Sequence, residues 1–494
     1  MFPQPKLKTV LFASVLFLTV TFCLSARSAD KTAAKNVLFI AVDDLDCRIA
    51  CYGDPIAKTP NIDRLAKRGV MFRHAYSQYP LCNPSRVSLM TGLRPDSTKV
   101  WDLETNFRTN LPNAVTLPQL FRQNGYFVAR VGKLYHYGVP REIGTDGMDD
   151  PISWDYKFNP IGRDKTEQDK IHLLTNGGYK NTIGFGMAWL DMDGPDEDQT
   201  DAKGVTETIR VLEEHKDKPF FIAMGFFRPH TPWIAPKKYY DLYPLDSIKL
   251  PVRDAASEKA LPDIARNIHP DDYGLSQKDL KDCVRGYYAA ISFVDAQVGR
   301  LLDAVDHLGL AENTLIVFWS DHGFLLGEHG QWQKQLLFDP SPRTPMIVYD
   351  PTAKGNGTVC DRSVELLDLY PTVADWAGLK KPKGLEGFSL RPLLDSPVSG
   401  RWKHPAYAQV TRLKDKQRVM GYSVHTERYR YTEWEEGKSG IELYDHQTDP
   451  NELQNLAADP NSKATADEMK ELLKRIRKPG VKVEIHGDLA DPQG

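Results

Sequence analysis

Five apolar runs, each closed by polar or charged residues, punctuate this chain. The first, Asn36-Val-Leu-Phe-Ile-Ala-Val42, is almost unbroken and stops at Asp43-Asp44. Similar runs occupy 126–131, 219–224, 314–319 and 345–349. Short apolar runs without alternation predict strands buried on both faces, as in a parallel sheet. Between them, apolar residues recur at helical spacing over 60–68, 117–123, 205–215, 280–308 and 366–377. Strands alternating with helices predict an α/β sandwich around a largely parallel sheet. Ligands of such sheets sit beyond the carboxyl ends of the strands. There the chain carries Asp43-Asp44, Lys133 with His136, His230, and Asp321-His322. This coincidence of reactive residues with strand ends marks the candidate site.

The pattern changes after a Pro/Gly-rich stretch at 378–397. Strand-like segments follow at 406–410, 419–425 and 429–434, then a polar helix at 464–476. Residues 29–395 therefore read as the main domain, and 396–494 as a smaller α+β subdomain with a short antiparallel sheet. The stretch 142–204, rich in Asp, Gly and Asn, shows little periodicity and reads as long loops over the sheet.

Near the start, Lys6 and Lys8 precede an uncharged, mostly apolar run from Val10 to Leu24, followed by Ser25, Ala26, Ser28 and Ala29. This predicts a secretory signal over 1–28, cleaved near Ser28, and a periplasmic or secreted protein without a stable membrane span. Its removal shifts the formal charge from −3 to −6. An acidic protein is no general polyanion binder, which argues against nucleic acid as partner. Any anionic ligand must meet local positive charge. Six cysteines in 494 residues are too few for a disulfide scaffold. Cys47, Cys51, Cys283 and Cys360 read as structural, with any pairing open.

The most specific segment is Leu81-Cys82-Asn83-Pro84-Ser85-Arg86-Val87-Ser88-Leu89-Met90-Thr91-Gly92. A Cys followed at fixed spacing by Pro, Ser, Arg and Thr-Gly resembles the maturation signal of type I sulfatases. Asp43-Asp44, Gly132-Lys133-x-x-His136, Arg228-Pro229-His230, Ser320-Asp321-His322-Gly323 and Gly327-Glu328-His329-Gly330 with Lys334 follow the order seen in that family. The iduronate-2-sulfatase branch is the nearer resemblance, through Ala41-Val-Asp-Asp44, Thr59-Pro-Asn-Ile-Asp63, Arg94-Pro-Asp96, His230-Thr-Pro232 and Met420-Gly-Tyr-Ser423. Sulfatases commonly place Asn where this chain and that branch have His322. The Lys133–His136 spacing is likewise one residue longer than in many arylsulfatases.

The resemblance implies an alkaline-phosphatase-like fold and a sulfate ester hydrolase. It implies that a formylglycine-generating enzyme oxidises Cys82 to an aldehyde whose hydrate attacks sulfur, splitting one difficult step into two. It further implies one Ca²⁺ held by Asp43, Asp44, Asp321, His322 and residue 82. Arg86 would hold the hydrate, and Lys133 and Lys334 would bind sulfate oxygens. His136 would take a proton from the hydrate, and His230 would protonate the leaving alcohol. Glu328 and His329 would support these groups from behind. The branch points to a sulfated glycan substrate, specifically a 2-O-sulfated uronate or related sugar. Lys170, Lys180, Arg412 and Lys414 are candidates for meeting its carboxylate. Two alternatives are a phosphate or phosphonate monoester hydrolase and a glycan-binding protein in which Cys82 stays unmodified.

Overall fold

Asn36–Val42 runs through the interior of an eight-stranded sheet, between Thr314–Ser320 and Phe220–Gly225, both parallel to it. Its side chains alternate between two apolar layers. Leu38, Ile40 and Val42 enter one, and Val37, Phe39 and Ala41 the other, all fully buried. Burying both faces explains why the run shows no polar alternation, and each large side chain there contributes roughly 1.5–3 kcal/mol. The computed structural model describes residues 1–4, 35–174, 183–268, 270–478 and 483–485. Beyond its first four residues, the expected signal segment lies outside the described residues, and so does Lys180.

The helix Gln277–His307, started by the Ser276 side chain accepting from the Asp279 amide, packs on one face with Pro60–Arg68 and Thr200–His215. Cys82–Thr91, Leu117–Gln123 and Leu369–Ala377 cover the other face. The architecture is the expected α/β sandwich. Among the described residues, no helix is long and apolar enough to cross a membrane.

Three features depart from the expected pattern. Arg343–Tyr349 runs antiparallel to both its neighbours, Thr314–Ser320 and Val70–Tyr76, and is the one reversed strand of the sheet. Val70–Tyr76 and the edge strand Val359–Glu365 extend the sheet beyond the five apolar runs. The described parts of the stretch 142–204 are more ordered than long loops. Tyr156–Phe158 joins the main sheet, Ala188–Met192 pairs with His172–Leu173 on one side and Trp233–Pro236 on the other in a small sheet, and the helix begins at Thr200.

Near the carboxyl end, Ala406–Lys414, Gln417–His425, Tyr429–Trp434 and Gly440–Asp445 form a sequential antiparallel sheet, one strand more than the pattern suggested. Its first turn, Asp415-Lys416, has φ of 51° and 65°, as a two-residue turn of the type favoured by strand twist requires. Lys463–Ile476 covers the sheet with Met469, Leu472, Leu473 and Ile476. Cys47, Cys51, Cys82, Cys283 and Cys360 all carry free thiols.

Candidate active site

Parallel register brings the reactive residues together. Val42 pairs with Ser320, so Asp43 and Asp321 leave adjacent strands side by side. Gly132 pairs with Gly225 on the next strands, which brings Lys133 to the same edge. Gly132 has φ of +70°, and a Cβ there would lie 2.2 Å from the Gly225 carbonyl oxygen, so the turn that aims Lys133 needs glycine. Asp44 also adopts a left-handed backbone, φ 61°. Its amide donates to Asp321 Oδ1 at 3.1 Å and its carbonyl accepts from Tyr287 Oη at 2.8 Å. These bonds sustain a conformation that costs about 1–3 kcal/mol in a non-glycine residue.

Cys82 opens the helix Cys82–Thr91, all ten residues of which are buried. Its Sγ lies 3.2 Å from Lys334 Nζ, 3.5 Å from His322 Nε2 and 3.8 Å from Asp44 Oδ1. Burial and Asp43 push the thiol pKa up, but Lys133 and Lys334 outweigh them and the net direction is down. One turn on, Arg86 is wholly buried beneath the cluster. It donates from Nε to Asp321 Oδ2 at 2.8 Å, from one terminal nitrogen to Asp43 Oδ1 at 3.0 Å, and from the other to the Lys133 carbonyl at 2.7 Å. Ser85 Oγ donates to the Asp321 carbonyl.

The remaining charges interlock. Lys133 Nζ meets Asp43 Oδ2 at 2.5 Å and Lys334 Nζ meets Asp44 Oδ1 at 2.5 Å. Burial pushes the Asp43 carboxyl up, yet Lys133, His230 and Arg86 hold it well below the usual range. Asp44 goes the other way. Burial, against Lys334 and with Cys82 and Asp43, raises it to about 7, and among the described residues its Oδ2 has no hydrogen-bond partner. His322 Nδ1 lies 2.8 Å from the Gly323 carbonyl and so donates to it, leaving Nε2 facing Cys82 and Asp44. His230 likewise gives Nδ1–H to the Thr231 carbonyl at 2.6 Å, which leaves Nε2 3.8 Å from Asp44 Oδ2. Burial, with Lys133, lowers His136 to about 3.

Ligand atoms of Asp44, Cys82, Asp321 and His322 lie within 4.8 Å of one another, as do those of Asp43, Asp44, Cys82 and His230. Three buried carboxylates, Asp43, Asp44 and Asp321, face three cations, the buried Arg86 and Lys133 and the partly exposed Lys334. A divalent cation would leave this cluster positive, as an incoming anion requires. The donor set suits a hard cation. A histidine whose other nitrogen is tied to a backbone carbonyl is the usual form of a metal ligand.

A cavity of about 480 Å³ opens over Cys82, His136, His230 and Lys334. Tyr137, Arg141 and Phe185 line its outer part. Arg141 was not among the carboxylate candidates. Its signal, a cation five residues past His136, is weak in a chain with so many. The segment 142–204 supports His230 from behind. Asp201 accepts from the Phe227 and Arg228 amides at 2.9 and 3.0 Å, Asp164 pairs with Arg228 at 3.0 Å, and Thr231 Oγ1 donates to the Gly186 carbonyl at 2.8 Å. Glu328 and His329 stand further off. Glu328 pairs with Arg48, and His329 stacks on Phe338 with ring centroids 4.2 Å apart. Lys170 pairs with Glu167 at 2.7 Å and does not line the cavity, and Arg412 and Lys414 line a neighbouring one.

Comparison with known proteins gives the family. Residues 35–379 match the sulfatase family, and 327–479 match the C-terminal region of N-sulphoglucosamine sulphohydrolase. The chain is 34% identical to the iduronate 2-sulfatase of Mus musculus, over 87% of this chain and 90% of that protein. It is 33% identical to a sulfatase of Formosa agariphila, over 92% and 91%. Among solved structures, the phosphonate monoester hydrolase of Agrobacterium radiobacter superposes with a TM-score of 0.74 at 25% identity, covering 90% of this chain and 96% of the other. With the alkaline-phosphatase-like fold thus established, the chain belongs to the sulfatase family and is a sulfuric ester hydrolase.

Proposed function

We propose that this protein is an exported, Ca²⁺-dependent sulfatase that uses formylglycine at position 82 to remove 2-O-sulfate from a uronate or related sugar of a sulfated glycan. The observation that carries the reading is the convergence of Asp43, Asp44, Asp321, His322 and Cys82 at one sheet edge beneath a sugar-sized cavity. Asp43, Asp44, Asp321 and His322, with residue 82, would hold the metal. The unpartnered Asp44 Oδ2 and the outward His322 Nε2 fit that role. Bound Ca²⁺ supplies a Lewis acid that polarises sulfate oxygens. Formylglycine supplies the nucleophile.

The chain's own residues do the rest. Arg86, tied to both Asp43 and Asp321, fixes the two carboxylates and the start of the Cys82 helix. Lys133 and Lys334 bind the sulfate oxygens, and Lys334 beside residue 82 meets charge developing on the departing oxygen. His230 presents Nε2 as the atom that carries a proton to the leaving alcohol. His136, buried with an unpartnered Nδ1, accepts a proton from residue 82 as sulfate is released. Arg141, on the cavity wall, is the cation placed to meet a uronate carboxylate.

Desulfation of defined disaccharides, sulfated singly at each position, tests the substrate. Faster turnover of a 2-O-sulfated uronate than of 6-O-sulfated glucosamine or an aryl sulfate is expected; the reverse order removes the uronate assignment. The likeness to a phosphonate monoester hydrolase motivates a second arm with phosphate and phosphonate monoesters. A wide preference for these in kcat/KM would replace the sulfate reading.

A further inference from the structure

A second cavity, of about 870 Å³, lies beside the one over Cys82 and is not used by the proposed reaction. The same two chain segments supply lining residues to both. Leu103 and Glu104 line the first, Trp101 and Asp102 the second; Gln333 and Lys334 line the first, Gln335 the second. Successive residues lie about 3.8 Å apart along the chain, so the two cavities approach each other along both segments, within reach of a ligand longer than one sugar that places a sulfate at Lys334.

The second cavity is built for an anion. The hairpin from Arg412 to Arg418 holds Arg412, Lys414, Lys416 and Arg418 against one acid, Asp415. Among the described residues, Arg412 has no carboxylate at ion-pair distance. Its terminal nitrogens donate to the Thr411 and Gln335 carbonyls at 3.0 and 2.6 Å, its Nε is buried without a partner, and its plane lies over Trp434. Burial pushes its pKa down to about 10, the mark of a cation short of compensating charge. Arg418 is exposed and lies 5.3 Å from the Trp101 ring centre. Other charges facing the cavity are engaged elsewhere. Arg266 pairs with Asp271, Lys414 lies 3.4 Å from Glu435, and Asp102 accepts from the Glu104 and Thr105 amides at 3.1 and 2.7 Å. Asp263 also lines the space and limits how much negative charge it accepts. Trp101, with Arg418 beside it, adds a flat apolar surface, and a guanidinium is a forked donor suited to sulfate or carboxylate.

We propose that this cavity is a subsite for the sugar adjoining the one being desulfated, and that Arg412 and Arg418 select a neighbour carrying sulfate or carboxylate. The proposal rests on the reading of the Cys82 cavity as the place of reaction. Cys82→Ala protein, which leaves its ligand intact, tests it by calorimetric titration with three probes: a monosaccharide sulfate, a sulfated disaccharide with a neutral second sugar, and the same disaccharide with an anionic second sugar. Adding Arg412→Gln and Arg418→Gln is expected to weaken binding of the third probe about tenfold or more and leave the first two unchanged. Arg418→Gln alone, at an exposed position, is expected to give part of that loss without disturbing the fold. In the active enzyme the same pair of changes should raise KM for the third probe and leave kcat unchanged. Equal affinity of parent and variant for the third probe overturns the subsite, as does equal loss on all three. If no sulfate ester is hydrolysed but the selective loss of binding persists, the reaction reading falls and the anion-selective subsite stands. Parent protein that fails to bind the third probe overturns the subsite.

Discussion

The carboxyl edge of the sheet and the Arg412–Arg418 hairpin are both rich in charge, but they use it differently. At the edge, Arg86, Asp43 and Asp321 are wholly buried and each is tied to at least two groups. On the hairpin, Lys414 and Arg418 stand mostly in water and are paired loosely. Charges taken out of water are held by geometry, and removing one partner of such a pair costs about 3–5 kcal/mol. Exposed pairs contribute about 0–1 kcal/mol. The edge is therefore suited to fixing reacting atoms, and the hairpin to tuning affinity.

The sharpest test of this contrast is at its centre. Cys82→Ala should lower turnover by roughly 10⁴-fold or more while leaving the melting midpoint near that of the parent. Mass spectrometry of the parent's residue-82 peptide should show the thiol replaced by an aldehyde. Active protein carrying only the thiol would remove the proposed nucleophile. Asp44→Ala should abolish divalent metal binding in elemental analysis and lower turnover by about 10³-fold. Retention of metal by this variant would shift the ligand set elsewhere.

Asp201→Ala probes the support behind His230. It leaves the Phe227 and Arg228 amides buried without their acceptor, at about 1–3 kcal/mol each, and should reduce kcat about 10–100-fold through a displaced His230. Urea unfolding and steady-state kinetics together read both effects; unchanged kcat in a folded variant would break the link. A smaller effect is expected at Arg141→Gln, a rise of about 3–10-fold in KM for a uronate with none for a neutral sulfated sugar. At the bottom of the scale, Lys463→Ala removes an exposed pair with Asp467. It should leave both melting midpoint and turnover unchanged.

The sequence made the edge legible because its strands are buried on both faces and end abruptly at Asp43, Lys133 and Asp321. Other elements were hidden for physical reasons. Val70–Tyr76 carries exposed Arg73 and half-buried His74, which break an otherwise apolar run. Residue alternation has the same period in either direction, so nothing in 345–349 announces a reversed strand. In 142–204 the ordering comes from individual polar contacts, such as Asp164 to Arg228, rather than from a repeating apolar face. The basic hairpin was visible as residues, but its relation to Trp101 and Gln335 exists only after folding joins segments more than 75 positions apart. Arg412 and Lys414 line the second cavity and Arg141 the one over Cys82, a division that depends on the folded arrangement.

The burial of Cys82 also sets an order of events. The side chain is 1% exposed, at the start of a helix whose every residue is covered and whose Arg86 is locked between two strands. A second protein closing its own active site around this thiol would have to displace the residues packed around it. Any enzyme that oxidises it must therefore meet the segment from Leu81 to Gly92 as an extended chain, before the sheet edge forms. Under the proposed formylglycine reading, maturation and folding are competing processes with a deadline. Chains that fold first would be fully native by every structural measure and permanently silent, so the active fraction of a preparation would record the race between two rates rather than the quality of the fold.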